Sequence, residues 1–175
     1  MRKLKNSELN RLSTEAFKKI QKTPITVVLD NVRSLNNIGS IFRSSDAFLI
    51  EKINLCGITA KPPHKDIQKT ALGATESVEW EHQGKTIECI KKLKKEGYFC
   101  VAIEQTEDSI SLENFKIKKQ HKIAVIFGNE VKGVQQIVID QCDACIEIPQ
   151  LGTKHSLNIA VSAGIVLWEL FKGMK

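Results

Sequence analysis

The chain has 175 residues, enough for one domain around a single hydrophobic core. Its 42% hydrophobic content includes no run near the roughly 20 apolar residues that a bilayer span requires. The basic N-terminus has no apolar stretch behind it to make a secretory signal, so a cytoplasmic location without a membrane role is expected. A net charge of +6 favours an anionic partner.

In chain order, residues 7–20 place Leu9, Leu12, Ala16 and Ile20 near helical spacing. Residues 1–22 carry Arg2, Lys3, Lys5, Arg11, Lys18, Lys19 and Lys22 against Glu8 and Glu15, a basic helical extension ahead of a main domain at 23–175. ITVVLD (25–30) is short, β-branched and apolar, as a buried strand should be. A polar loop leads to a helix expected near 38–49, with Asn37 suited to its N-cap. Gly39 in the first turn costs stability unless something approaches closely. Arg43 follows in an apolar helix, either snorkelling, ion-paired or binding a phosphate.

A second strand is expected at 53–59, then a KPPHKD loop, a helix near 65–72 and a short strand at 77–80. A helix at 86–96 carries Lys91, Lys92, Lys94 and Lys95, a solvated face or a contact for an anion. FCVAIEQ (99–105) is a strand, followed by an irregular stretch and then KIAVIFG (122–128). A helix near 133–141, the strand CIEIP (145–149) and a helix at 156–171 complete the chain. The five cysteines are expected to be reduced and buried, including the Cys142–Cys145 pair, whose spacing has no second pair to complete a zinc site.

Strands alternating with helices predict an α/β fold, a mostly parallel sheet with helices on both faces. Ligands in such folds bind beyond the carboxyl ends of the strands. Three strand ends carry unusual loops: Asp30–Arg43, Gly128–Gly133 and Pro149–Asn158. GNEVKG is a turn or a site; it is neither GxxxxGK[ST] nor GxGxxG, so the common phosphate cradles are excluded. Ser156 and Asn158 stand where the last helix needs capping, and the absence of a GxSxG elbow argues against a hydrolase.

Taken together, LDNVRSLNNIGSIFRSSDAF, IFGNEVKGV and IEIPQLGTKHSLNIAVSAGIVLW, in that order, resemble the SpoU/TrmH family of the SPOUT superfamily. These are RNA ribose 2′-O-methyltransferases, and the resemblance covers roughly Pro24 to Lys172. The three motifs are Asn-x-Gly-x-x-x-Arg, Gly-Asn-Glu-x-x-Gly, and Ile-Pro followed by Gly and Ser-Leu-Asn. Departures are small: Gln150 stands where methionine is common, and Ile159-Ala160 where Val-Ser is usual.

The resemblance implies a deep C-terminal trefoil knot and a homodimer whose sites are completed near the partner chain. It implies S-adenosylmethionine as methyl donor, no metal, and RNA as substrate; transfer RNA is slightly preferred over ribosomal RNA because no separate ribosomal-RNA-binding domain is read in the sequence. Donor contacts would come from Gly128, Ile148 and Leu157, with Asn129, Gly133, Pro149 and Gly152 in the same loops and Glu104 and Gln105 on the ribose side. Arg43 would relay the proton or orient the target phosphate. Asn37, Glu130, Ser156 and Asn158 would act beside it. Residues 1–22 and Lys61 to Lys69 would hold the RNA backbone. The rival readings are a catalytically silent RNA-binding module on the same fold and a methyltransferase acting on protein or small molecules.

Overall fold

The computed structural model describes residues 1–116 and 121–175. Seven strands form one sheet in the order β3-β2-β1-β6-β4-β7-β5, and every neighbouring pair is parallel. They are β1 (Thr23–Asp30), β2 (Ile50–Cys56), β3 (Glu79–Gln83), β4 (Tyr98–Ile103), β5 (Ile110–Ser111), β6 (Lys122–Phe127) and β7 (Ala144–Glu147). The helices are α1 (Thr14–Lys19), α2 (Leu35–Ala47), α3 (Lys65–Ala71), α4 (Ala74–Ser77), α5 (Thr86–Lys95), α6 (Gln136–Ile139) and α7 (Ile159–Met174).

Strand alternation divides the core in two. Ile25, Val27 and Leu29 of β1, with Ile123, Val125 and Phe127 of β6, pack under α2, α3, α4 and α7. Val28, Ala124 and Ile126 point to the other face, where Cys89, Ile90 and Leu93 of α5 and Val138 of α6 cover them. Both faces of the parallel sheet are therefore clothed, which is why its central strands read as unbroken apolar runs.

Several expected boundaries move. The N-terminal helix shrinks to Thr14–Lys19: Asn10 lies at φ 47°, and Ser13 caps the helix by accepting from Ala16 N at 3.2 Å. Leu9, Leu12 and Ile20 are exposed, and Phe17 is the residue that enters the core. Helix α2 begins earlier than predicted because Ser34, and not Asn37, is its N-cap, accepting from Asn37 N at 3.3 Å. The second strand closes at Cys56, followed by Gly57 at φ 61°. Residues 74–77 are the helical turn α4, and the edge strand follows at 79–83. The helix expected at 133–141 is the single turn α6. The irregular stretch after β4 contains β5; its residues 117–120 lie outside the described residues.

Gly39 has the expected cause. A Cβ there would stand 2.1 Å from Thr70 Oγ1 and 2.2 Å from the Ile67 carbonyl oxygen, so glycine lets α2 and α3 touch. No helix among the described residues is long and apolar enough to cross a membrane.

Candidate functional site

The carboxyl ends of β1, β6 and β7 bring the three loops together. Asn129 Nδ2 donates to the Asn31 carbonyl at 2.8 Å, tying the loop after β6 to the loop after β1. Within its own turn, Asn129 Oδ1 accepts from Val131 N and Lys132 N, and its backbone bridges Gly133. The amide thus spends both ends on geometry, the role expected of Asn in a tight turn.

Glu130 is presented by that turn to the start of α2. Its carboxylate accepts from Arg33 N at 3.0 Å, Ser34 N at 2.9 Å and Asn37 Nδ2 at 3.2 Å. Burial opposes the charge, but these donors outweigh it and hold the carboxyl below the usual range. Because Ser34 does the capping, the Asn37 side chain is free to bridge. Its Oδ1 accepts from Asn158 Nδ2 at 3.1 Å while its Nδ2 serves Glu130. Asn158 in turn caps α7, accepting from Ala160 N at 2.9 Å and Val161 N at 3.3 Å. Asn37, Glu130 and Asn158, one from each loop, form a single hydrogen-bonded chain.

Beside this chain lies a cavity of about 680 Å³ between the ends of β4, β6 and β7. Of the residues singled out by sequence, Glu104, Gln105, Gly128, Asn129, Glu130, Gly133, Ile148, Ser156, Leu157 and Asn158 line it. Pro149 and Gly152 do not, and Asn37 reaches it only through its partners. Ser156 precedes α7, which starts at Ile159, so of the two expected caps only Asn158 serves as one.

Gln105 does not offer its amide to the cavity: Nε2 donates to the His155 carbonyl at 2.8 Å and holds the loop after β7 in place. Glu104 accepts from Gln105 N at 3.0 Å and Val134 N at 3.1 Å. It packs so tightly on Gly133 (φ 66°) that a Cβ there would lie 2.0 Å from Glu104 Oε2. Arg43 stands apart. It sits on an exposed face of α2, does not line the cavity, and has no hydrogen bond or ion pair among the described residues.

Sequence reasoning missed three groups. Thr106 lines the cavity from outside the motifs, and Lys132 and Glu147 line it from unspecified positions within them. Asp30, fully buried, accepts from the Thr86 hydroxyl, from Asn31 Nδ2 at 2.8 Å and from Gln135 N at 2.9 Å, fixing the far end of the GNEVKG loop to β1. Ser34 was legible as a cap three residues before Asn37. The cysteines are all free thiols; Cys56, Cys89 and Cys100 are buried as expected, whereas Cys142 and Cys145, near the edge of the sheet, are only half-buried. Burial pushes Cys142 up to about 12 and also raises Cys145, and both sulfurs face backbone carbonyls at 3.3 Å. Among the described residues no group of three His, Cys, Asp or Glu side chains could hold a metal ion.

Comparison with known proteins bears on the family and the fold. The 23S rRNA (guanosine-2'-O-)-methyltransferase RlmB of Vibrio parahaemolyticus is 27% identical over 162 residues, 93% of this chain and 64% of that protein. A crystal structure of an AdoMet-bound rRNA methyltransferase from Sinorhizobium meliloti superimposes with a TM-score of 0.80 at 27% identity, covering 91% of this chain and 60% of that one. The TrmH/SpoU tRNA modifying enzyme of A. aeolicus gives 0.79 at 25% identity, covering 91% and 79%. The chain thus spans somewhat under two thirds of the length of the curated relatives it matches. The family described as SpoU rRNA Methylase matches residues 24–168, from the second residue of β1 into the last turns of α7, and the chain belongs to that family.

Proposed function

We propose that this chain transfers a methyl group from S-adenosylmethionine to a ribose 2′-oxygen of structured RNA. The observation that carries this reading is the Asn37–Glu130–Asn158 chain beside the cavity, where Asn37 of the first family motif bonds both Glu130 of the second and Asn158 of the third. The relatives named for guanosine-2′-O methylation and for AdoMet binding support the same chemistry.

The residues present fit the donor. The cavity falls in the size range of small-molecule sites. Its wall mixes apolar side chains (Ile103, Phe127, Ile148) with the polar groups of Glu104, Asn129 and Ser156. Bound there, the donor would supply an electrophilic methyl on a sulfonium. The chain's own task is to bring the sugar hydroxyl into line and manage its proton. Glu130 and Asn37 fix the loops after β6 and β1, Asn158 fixes the start of α7, and Ser156, without a hydrogen bond among the described residues, remains available to a ligand.

Arg43 serves this site from a second copy of the chain. Helix α7 packs on α2 and exposes Val161, Ile165 and Trp168, 51%, 39% and 51% accessible, at i, i+4 and i+7. An apolar stripe of that kind favours a two-fold contact. In such a homodimer the exposed guanidinium of α2 orients the RNA phosphate and the 2′-hydroxyl, or relays the proton, at the neighbouring site. The reading includes the C-terminal knot, supported by the return of α7 to α2 after β7 has paired with β4.

The test is incubation of the purified chain with methyl-labelled donor and either transfer RNA or ribosomal RNA, followed by digestion to nucleosides. Label in a 2′-O-methyl nucleoside is the expected result, with transfer RNA the better substrate. Donor binding without label in either RNA favours the silent RNA-binding alternative.

A further inference from the structure

The cavity is acidic within a basic protein. Glu104, Glu130 and Glu147 line it, against Lys132 as its one lysine or arginine, whereas the chain as a whole carries +6. Elsewhere some carboxylates meet cations, Glu81 with Lys52 and Lys92, Asp143 with Lys94 and Glu169 with Lys172, while others, Asp46 and Glu51 among them, accept from hydroxyls. None of the three cavity carboxylates is in an ion pair among the described residues.

Glu104 is the one whose position is set for this. Two backbone N–H groups, those of Gln105 and Val134, fix its oxygens in the wall. Gly133 gives up its side chain to make room for them. Glu130, by contrast, is turned to the start of α2. An acidic wall without a cationic partner is a binding surface for a cation.

Resting on the reading that the cavity holds the donor, we propose that Glu104 determines specificity for charge, favouring the sulfonium donor over the neutral thioether that remains after transfer. The two ligands share adenosine and amino-acid parts and differ in one methyl and one positive charge. Contacts to the shared parts hold both alike, so the difference comes from the methyl or from the charge, and of these only the charge responds to a neighbouring carboxylate and to salt. An interaction of about 1 kcal/mol, the low end of the range for a pair of unit charges near one another, changes an equilibrium constant roughly fivefold. The consequence is release of product against a background of donor, without a moving part.

The experiment measures calorimetric affinities for S-adenosylmethionine and S-adenosylhomocysteine, in the full chain and in Glu104→Gln. The expected result is a ratio favouring the donor that falls by roughly fivefold in the variant, the charge term having been removed. Equal loss of both affinities, or no change in the ratio, overturns the proposal and leaves Glu104 a wall residue that shapes the Gly133 turn. A salt titration of the unsubstituted chain gives a second answer that does not depend on the variant folding. The donor preference should shrink from about 50 to 500 mM salt, and a preference that is absent at low salt, or unchanged by salt, overturns the proposal. Failure of the unsubstituted chain to bind either ligand instead overturns the reading of the cavity as a donor site.

Discussion

Glu130 holds a negative charge where donors from α2 and the loop before it converge. Its folded carboxyl titrates below its unfolded value, because the N–H groups of Arg33 and Ser34 and the amide of Asn37 overcome the burial that opposes the charge. The stabilisation is therefore fully present above the ordinary glutamate pKa of about 4.3 and is lost as pH falls through the lower folded value. Thermal unfolding between pH 7 and pH 3 should show Glu130→Gln losing less stability on acidification than the parent chain, and parallel curves would contradict this. Asn158→Ala removes the cap of α7 and its link to Asn37 together. It should cost about 1 kcal/mol in stability and weaken donor binding, as denaturant titration and calorimetry would show. Cys142 and Cys145, whose thiols burial pushes upward, should alkylate slowly at neutral pH in the folded chain and rapidly in denaturant.

Helix α2 is held at the site by contact with α3, and that contact depends on Gly39. Adding a methyl there drives it against Thr70 and the backbone of Ile67. Gly39→Ala should destabilise by about 1–3 kcal/mol despite its better helix propensity, measured by chemical unfolding. On α7, Trp168→Glu should shift the chain from dimer to monomer in sedimentation and abolish turnover while leaving donor affinity in place. A monomer before substitution would contradict the dimer. The central strands were legible because β1 and β6 are short β-branched runs, and the abnormal loops after β1, β6 and β7 pointed to the candidate site. Helix starts were less legible, since Ser34 and Asn158 set them by local hydrogen bonds that compete with equally suitable polar neighbours, Asn37 and Ser156. Leu9, Leu12 and Ile20 made a helical pattern but found no surface to cover, so α1 remained a short helix anchored by Phe17. Glu147 and Lys132 were silent in sequence because they share a cavity only when β6 and β7 lie near one another, and Asp30 because its partners Thr86 and Gln135 are distant in the chain.

At the scale of the molecule, excess positive charge lies outside the acidic cavity. Lys61, Lys65 and Lys69 are exposed on and before α3, and residues 1–12 are exposed throughout. Part of the basic inventory is already committed: Arg2 pairs with Glu8, Lys22 turns back on the Phe17 ring and the Ile20 carbonyl, Lys92 pairs with Glu81, and Lys94 with Asp143. The free cations suit an RNA backbone, whose binding weakens steeply with salt. Removing residues 1–12, which spares Phe17, should raise the KM for RNA several-fold and leave donor affinity unchanged; equal loss of both would contradict that division of labour. The central claim is that three loops assemble a site for methyl transfer to a ribose hydroxyl, and that this transfer requires Arg43. The most direct test is nucleoside analysis of RNA incubated with labelled donor and either the parent chain or Arg43→Ala. The account predicts a 2′-O-methyl nucleoside from the parent and none from the variant, with donor affinity equal in both. Label on a base, or full turnover by Arg43→Ala, would contradict it.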